Sequence, residues 1–260
     1  MRIAFLGYDM MLPALERLLE DGHALAAMFT FGQECAGVRA AARGAPVYDG
    51  PPDRTAIQAL EAAGVEAFVV AGYPWRVPVP RRARALNIHP SLLPLARGIM
   101  PLPHIILDAP EAAGVTVHVL EKSFDTGAIL AQEAVPVTEA DDVDALGARI
   151  ALLAPDLLAR ALADSGRGTP QDASRTTYAP LPDETMRRID WREPHARCAA
   201  RVRAFGRFGA VGVVDGREVV IRAARSWPAA HGLPPGTTAF RAGGGLVIAA
   251  GGGLVYIRGP

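Results

Sequence analysis

Only two cysteines, Cys35 and Cys198, occur in the 260 residues, and they lie far apart in the chain. That excludes a disulfide scaffold and a zinc site built on paired cysteines. Lysine is nearly missing: Lys122 is the only one, which reads as a coding bias toward arginine, not as function. No sign of charge prevails, because 27 Lys+Arg balance 27 Asp+Glu. The chain therefore lacks the global field that draws proteins to nucleic acid or acidic membranes. No apolar run approaches the roughly 20 residues of a spanning helix. The N-terminus enters a strand-like segment, Arg2 to Gly7, without a signal-peptide apolar region. The expectation is a cytoplasmic protein, monomer or homodimer, with no metal site and no membrane partner.

What is present begins as β-α-β. Residues 2–7 read as a buried parallel strand, residues 12–20 as a helix with Leu12, Leu15, Leu18 and Leu19 on one face, and residues 24–30 as a second strand. The turn Gly7-Tyr8-Asp9-Met10 has no second glycine and makes a poor phosphate cradle. Further on, the pattern predicts a helix over 56–63 and strands over 67–71, 85–89, 114–120 and 129–137. A helical block over 144–164 is expected to break at Pro155. Arg81, Arg82 and Arg84 are expected to be solvated surface charge.

Composition shifts over 165–184 toward Gly, Pro, Ser, Thr and Asp, which reads as a linker or wrapping loop. After it come a helix over 194–204 and short strands over 211–214, 219–223, 246–249 and 254–257. Asp215-Gly216 is a hairpin signal. Two glycine triplets, 243–245 and 251–253, each precede a β-branched run, so they read as hairpin devices and not nucleotide loops. The fold class expected is an α/β, Rossmann-like domain with a mostly parallel sheet (1–164), a linker (165–184) and a small β-rich, barrel-like domain (185–260).

Residues 87–98, Asn-Ile-His-Pro-Ser-Leu-Leu-Pro-Leu-Ala-Arg-Gly, are the organising stretch. Asn87 and His89 alternate at period two, so on a strand they face one side, and the prolines then stop any regular continuation. If this strand and the one over 114–120 are parallel neighbours, Asp125, before Gly127, lies at the same sheet edge. An amide, an imidazole and a carboxylate converging there supply an oxyanion donor, a proton carrier and a group that orients it. His118, alternating within an apolar strand, reads as a satisfied core or lining residue. His104 is a candidate to face a substrate, Trp191 to anchor interdomain packing, and Arg97 to fix its loop by hydrogen bonds.

Residues 86–94 with Arg97-Gly98, then Gly114-Val115-Thr116-Val117-His118, then Asp125-Thr126-Gly127, together resemble the 10-formyltetrahydrofolate-dependent formyltransferases. The resemblance touches nearly the whole chain, strongly over 67–137 and loosely after 185. It implies that Asn87, His89 and Asp125 are catalytic, with a charged His89 and Asn87 stabilising the oxyanion and Asp125 keeping the ring charged. It implies that the donor, 10-formyltetrahydrofolate, lies against Trp75, Arg76, Val77, Leu86, Glu121, Lys122, Ser123 and Phe124. The acceptor expected is the amine or hydroxylamine of a small molecule in a specialised pathway, with a sugar nucleotide next. Initiator tRNA is disfavoured, because the similar tRNA enzymes have a basic insertion where residues 30–48 here offer only Arg39 and Arg43. A formyltetrahydrofolate hydrolase or a non-catalytic folate-binding module are the remaining alternatives.

Overall fold

The computed structural model describes residues 1–32, 35–164 and 166–258. Ser165 of the expected linker and the last two residues of the expected C-terminal domain lie outside the described residues, as do residues 33 and 34 of the 30–48 region. By contacts the chain separates into two units, each drawn from several segments: one from Met1–Pro101, Ala112–Val135 and Gly147–Tyr178, the other from Leu102–Glu111, Pro136–Leu146 and Ala179–Pro260.

The first unit is built on a seven-stranded sheet in the order β3-β2-β1-β4-β5-β6-β7. Its strands are β1 (Arg2–Gly7), β2 (Ala24–Thr30), β3 (Val47–Asp49), β4 (Ala67–Ala71), β5 (Arg84–His89), β6 (Gly114–Val119) and β7 (Ile129–Ala134). The first five run parallel to one another. β1 and β4 are apolar and buried on both faces, as strands in the middle of a parallel sheet are. α1 (Leu12–Glu20) carries Pro13 in its first turn, where no intrahelical donor is lost. α2 (Ala36–Ala41) and β3 follow β2, and α3 (Arg54–Ala62) is capped by Asp53, whose carboxylate accepts from Ala56 N at 2.7 Å. α4 (Pro101–Asp108) precedes β6.

Two expectations are corrected. β5 and β6 are neighbours but antiparallel, with Asn87 opposite His118 and His89 opposite Thr116, so the sheet is mixed at this edge. α5 (Val143–Ala163) runs through Pro155 without a break. Proline removes one intrahelical donor and crowds the preceding turn, which a 21-residue helix buried along one side absorbs. Among the described residues no helix is long and apolar enough to cross a membrane.

The glycine-rich part forms the antiparallel β portion of the second unit, entered through α6 (Glu184–Arg187) and α7 (His195–Phe205). β8 (Ala210–Val214) and β9 (Arg217–Ile221) make a hairpin across Asp215-Gly216. Both turn residues have positive φ, 48° and 78°, as a two-residue turn of this hand needs. β10 (Ala224–Pro228), β11 (Thr238–Ala242), β12 (Gly245–Ala250) and β13 (Gly253–Arg258) form a second sheet ordered β10-β13-β12-β11. Each glycine triplet closes one hairpin: Ala242 pairs with Gly245 and Ala250 with Gly253. Trp191, expected to anchor packing between domains, lies within the second unit. It is buried in the core of this unit with Val202, Val214 and Ile248, and its indole N–H donates to Val213 O at 2.8 Å.

Candidate active site

The strand β5 places the site. Leu86 and Ile88 point into the core, so period two turns Asn87 and His89 together to the other face. Beyond His89 the loop is folded on itself: the Ser91 hydroxyl donates to Leu95 O at 2.6 Å, and Thr116 Oγ1 donates to Ser91 O at 2.6 Å while accepting from Leu93 N at 3.1 Å. Gln132 Nε2 completes this brace by donating to Leu93 O and to Thr116 Oγ1. The loop after β6 turns back to the same face. Its Asp125 has a φ of 56°, in the left-handed region, and Gly127 passes so close to β6 that a Cβ there would stand 1.8 Å from Val119 O. Glycine two residues after the acid is what lets the turn close.

The three residues expected to be catalytic are brought together. Asp125 Oδ1 lies 3.4 Å from His89 Nδ1 and 3.4 Å from Asn87 Nδ2, and its Oδ2 accepts from Gly98 N at 2.9 Å. Both His89 and Asp125 are buried. His89 Nε2 lies 3.0 Å from Ala96 O, a partner that wants a hydrogen there.

His118 borders this group as a buried lining residue with both ring nitrogens partnered, as its sequence position leads one to expect. Its Nδ1 lies 2.8 Å from Val119 O, a carbonyl that can only accept, so Nδ1 carries a hydrogen. Nε2 is then an acceptor, and Asn87 Nδ2 stands 3.0 Å from it. The Asn87 amide is thereby oriented by its own neighbour across the β5–β6 ladder. One amide hydrogen is taken by His118, and the other is held only loosely at 3.4 Å by Asp125. At 3.7 Å the His118–Asp125 approach is too long for a hydrogen bond and is purely electrostatic. The cross-strand pairing Asn87–His118 was the missing signal, and it needs the register.

Burial sets the protonation of the ring. It pushes the His89 imidazole below its ordinary range, against the opposing charge of Asp125. Burial also pushes the Asp125 carboxyl up, but the neighbouring imidazoles and the Gly98 N–H outweigh it, and the carboxyl sits below the usual carboxylate range.

The residues expected to face the donor flank this group. Leu86 and Val77 are buried, whereas Trp75 and Phe124 are exposed. Arg76 stacks over the Phe124 ring at 4.8 Å, so the loop after β4 meets the loop after β6. Trp75 packs edge-on against Phe31 and Tyr73, each at 5.2 Å between centroids. Glu121 accepts from the Thr126 hydroxyl at 3.0 Å, which shapes the turn that also carries Lys122 and Ser123. His104 Nε2–H donates to Pro180 O, 2.8 Å away, so one of its ring nitrogens is already engaged. The arginines behave as separate cases: Arg81 and Arg82 are exposed, but Arg84 caps the end of α5 through the carbonyls of Ala161, Leu162 and Asp164 at 2.7–2.9 Å.

A family model described as "Formyl transferase" matches residues 49–162, and one described as "Formyl transferase, C-terminal domain" matches 183–259. Among curated relatives, methionyl-tRNA formyltransferase of Gluconobacter oxydans is 33% identical over 278 residues, spanning 99% of this chain and 90% of its own. The enzyme of that name from Albidiferax ferrireducens is 38% identical over 202 residues, 73% of this chain and 61% of its own. Of solved structures, HypX from Aquifex aeolicus in complex with tetrahydrofolic acid has a TM-score of 0.75 at 21% identity, covering 99% of this chain and 43% of that one. An N-formyltransferase from Helicobacter canadensis in complex with folinic acid and dTDP-3-aminofucose has a TM-score of 0.73 at 17% identity and covers 98% of each. The two structural likenesses, at these identities, concern the fold. The sequence matches run through both parts of the chain and include the strand-and-loop residues that carry Asn87, His89 and Asp125, and the chain belongs to the formyltetrahydrofolate-dependent formyltransferases.

Proposed function

We propose that this enzyme moves the formyl group of 10-formyltetrahydrofolate to the amine of a small acceptor by direct attack, with Asn87, His89 and Asp125 as its catalytic residues. The observation that carries the reading is the buried Asp125 carboxylate within 3.4 Å of both His89 and Asn87. The donor fits the loops beside it. Exposed Trp75 and Phe124, with Arg76 over the latter, offer flat surfaces for an aromatic ring system, and Val77 and Leu86 close the apolar side. The backbone of the turn with Glu121, Lys122 and Ser123 offers both donors and acceptors to a heterocycle's edge.

When bound, the donor supplies a formyl carbon carried on nitrogen. Asn87 turns its loosely held amide hydrogen to the formyl oxygen, where negative charge grows as the amine attacks. His89, neutral at rest, accepts the proton that the amine nitrogen loses on forming the new C–N bond. Asp125 stabilises the resulting imidazolium, and the same proton is then available to the departing folate nitrogen as the old C–N bond breaks. Atoms and charge balance over the cycle: formyl moves one way and one proton the other.

A small acceptor is favoured over initiator tRNA by the region between β2 and β3. Arg39 there is paired with Asp49 and not held free for phosphates. The Gluconobacter alignment spans 278 residues, more than this chain's 260, so that relative carries residues with no counterpart here. Asp9, in the loop after β1, accepts from Gly37 N and Val38 N at 3.0 and 2.9 Å, and its carboxylate disfavours an acceptor phosphate at that loop. The specific support for the tRNA reading is the 33% identity across nearly the whole chain. The reaction is assigned to the cytoplasm, where both cysteines stay reduced.

The test is release of tetrahydrofolate on incubation with 10-formyltetrahydrofolate and, separately, methionyl-tRNA, a nucleotide-linked amino sugar and an N-hydroxyornithine. Turnover with a small amine and none with methionyl-tRNA is the expected result. Turnover with methionyl-tRNA alone overturns the acceptor, and release without any amine identifies a hydrolase.

A further inference from the structure

The segment after α5 reads from composition as a linker, yet its residues reach back to the turn that holds Asp125. Thr169 and Ile129 exchange backbone hydrogen bonds at 2.8 Å in both directions. Thr177 Oγ1 accepts from Ala96 N at 2.8 Å, and Thr177 O accepts from Arg97 N at 3.0 Å. Between these two attachments sits Gln171. Its Oε1 accepts from Arg97 Nη2 at 2.6 Å and Nε at 3.2 Å, and its Nε2 donates to Asp125 O at 2.9 Å and Gly127 O at 2.7 Å. All four hydrogen-bonding places are used. The orientation of the amide is unambiguous, because flipping it would set N–H against guanidinium and oxygen against two carbonyls.

We propose that Gln171 is a positioning residue for formyl transfer: braced by the buried Arg97, it pins the backbone of Asp125 so that the carboxylate stays between His89 and the Gly98 N–H. The proposal rests on the assignment of Asp125 as catalytic. A non-glycine residue at a φ of 56° relaxes unless its surroundings hold it. Gln171 binds the carbonyl of Asp125 itself and that of Gly127 two residues on, at the turn that follows the positive φ. Arg97 and Gly98 are consecutive, so the dipeptide grips the acid from two directions: Gly98 N–H on the carboxylate, and the Arg97 side chain, through Gln171, on the backbone. A displacement of about 1 Å at a reacting group costs on the order of a hundredfold in rate, which is the scale such a clamp controls. The groups facing the carboxylate are His89 from β5, His118 from β6, Asn87 and Gly98 N, and Arg97 acts on His89 from the loop beyond.

The deciding measurement is the titration of the Asp125 carboxyl carbon by NMR in the full chain labelled with carbon-13 aspartate, with the resonance assigned by Asp125→Asn. Gln171→Leu fills the same space but grips neither carbonyl, so the Gly98 N–H loosens on the carboxylate and the titration midpoint rises. An unmoved midpoint overturns the proposal whichever amine the enzyme accepts. Gln171→Glu supplies a second arm, since it still accepts from Arg97 and preserves the fold but cannot donate to Asp125 O and Gly127 O. With hydroxylamine as the probe amine, Gln171→Leu and Gln171→Glu are expected to turn over about tenfold or more slowly, with the KM for the donor within about twofold. Wild-type turnover in Gln171→Glu defeats the clamp. Wild-type turnover in Asp125→Asn defeats the site assignment instead, so the two failures are separate.

Discussion

Asn87 and His89 differ in how their neighbours prepare them. Asn87 is aimed by His118, and His89 is held between a carbonyl and a carboxylate. Losing one oxyanion donor costs about 3–4 kcal/mol in sites of this kind. Asn87→Ala, His89→Ala and Asp125→Ala are each expected to lower kcat by about 10²–10³ while circular dichroism and melting temperature stay close to wild type. Near-normal kcat in Asp125→Ala contradicts the role given to the acid. The protonation of the pair also sets a pH dependence of stability. The folded pKa of His89 is lowered, chiefly by burial, so the unfolded chain binds the proton more readily. Stability is therefore full above the ordinary histidine value of about 6.5 and declines as the pH falls below it toward the folded value. Asp125 is lowered as well, so its contribution is lost only at more acid pH, below about 3.9. His89→Asn should flatten part of the decline in melting temperature just below pH 6.5. Only part is affected, because burial and the neighbouring α-amino group shift His23 in the same direction. An unchanged slope in His89→Asn would show that folding does not lower the pKa of the ring.

Elements explain why the loops hold their shape. Arg84 begins β5 and closes the last turn of α5 through three carbonyls, tying the strand that bears Asn87 to the longest helix. Hydrogen bonds to a charged group are worth about 1.5–3 kcal/mol where they cannot be replaced by water. Arg84 is partly exposed, so Arg84→Ala should lower unfolding free energy by about 1–2 kcal/mol in urea titration, with kcat nearly retained. Gly127→Ala acts differently, because its Cβ would meet backbone and not a mobile side chain. The turn must move, and a loss of activity much larger than the loss of stability is expected from parallel kinetic and melting measurements. The second unit shows why some strands escaped the sequence. β12 and β13 are apolar and central, and their positions are plain from the β-branched runs. β10 and β11 are its two edges and carry arginine, serine and proline, which edge strands tolerate and periodicity does not detect.

At the scale of the whole molecule the balance of charge bears on the acceptor. An enzyme that grips several phosphates of a nucleic acid loses on the order of 10³ in affinity between 50 and 200 mM salt. With zero formal net charge and Arg39 paired, this chain should show a change of less than about threefold in kcat/KM for its acceptor over that range. A steep salt dependence would point back to tRNA. Steady-state assays with the acceptor that supports turnover provide the measurement.

Much of this was decided by local pattern. Gly7 after an apolar strand, the period-two pair Asn87 and His89, and Asp125 ahead of Gly127 are readable one segment at a time, because strand periodicity and glycine punctuation act over a few residues. The sequence by itself determined the α/β class, the β-rich C-terminal part and which three residues, Asn87, His89 and Asp125, would lie together. It could not determine that β5 and β6 run antiparallel, since direction depends on pairing and not on either strand alone. His118 reads as a satisfied core or lining residue and is one, but that its partner is Asn87, across the ladder, follows only from the pairing. Gln171 looked like linker because composition describes a segment's freedom to be a loop and says nothing of where the loop returns. The downward shift of the His89 imidazole likewise comes from burial, a property only the folded chain possesses.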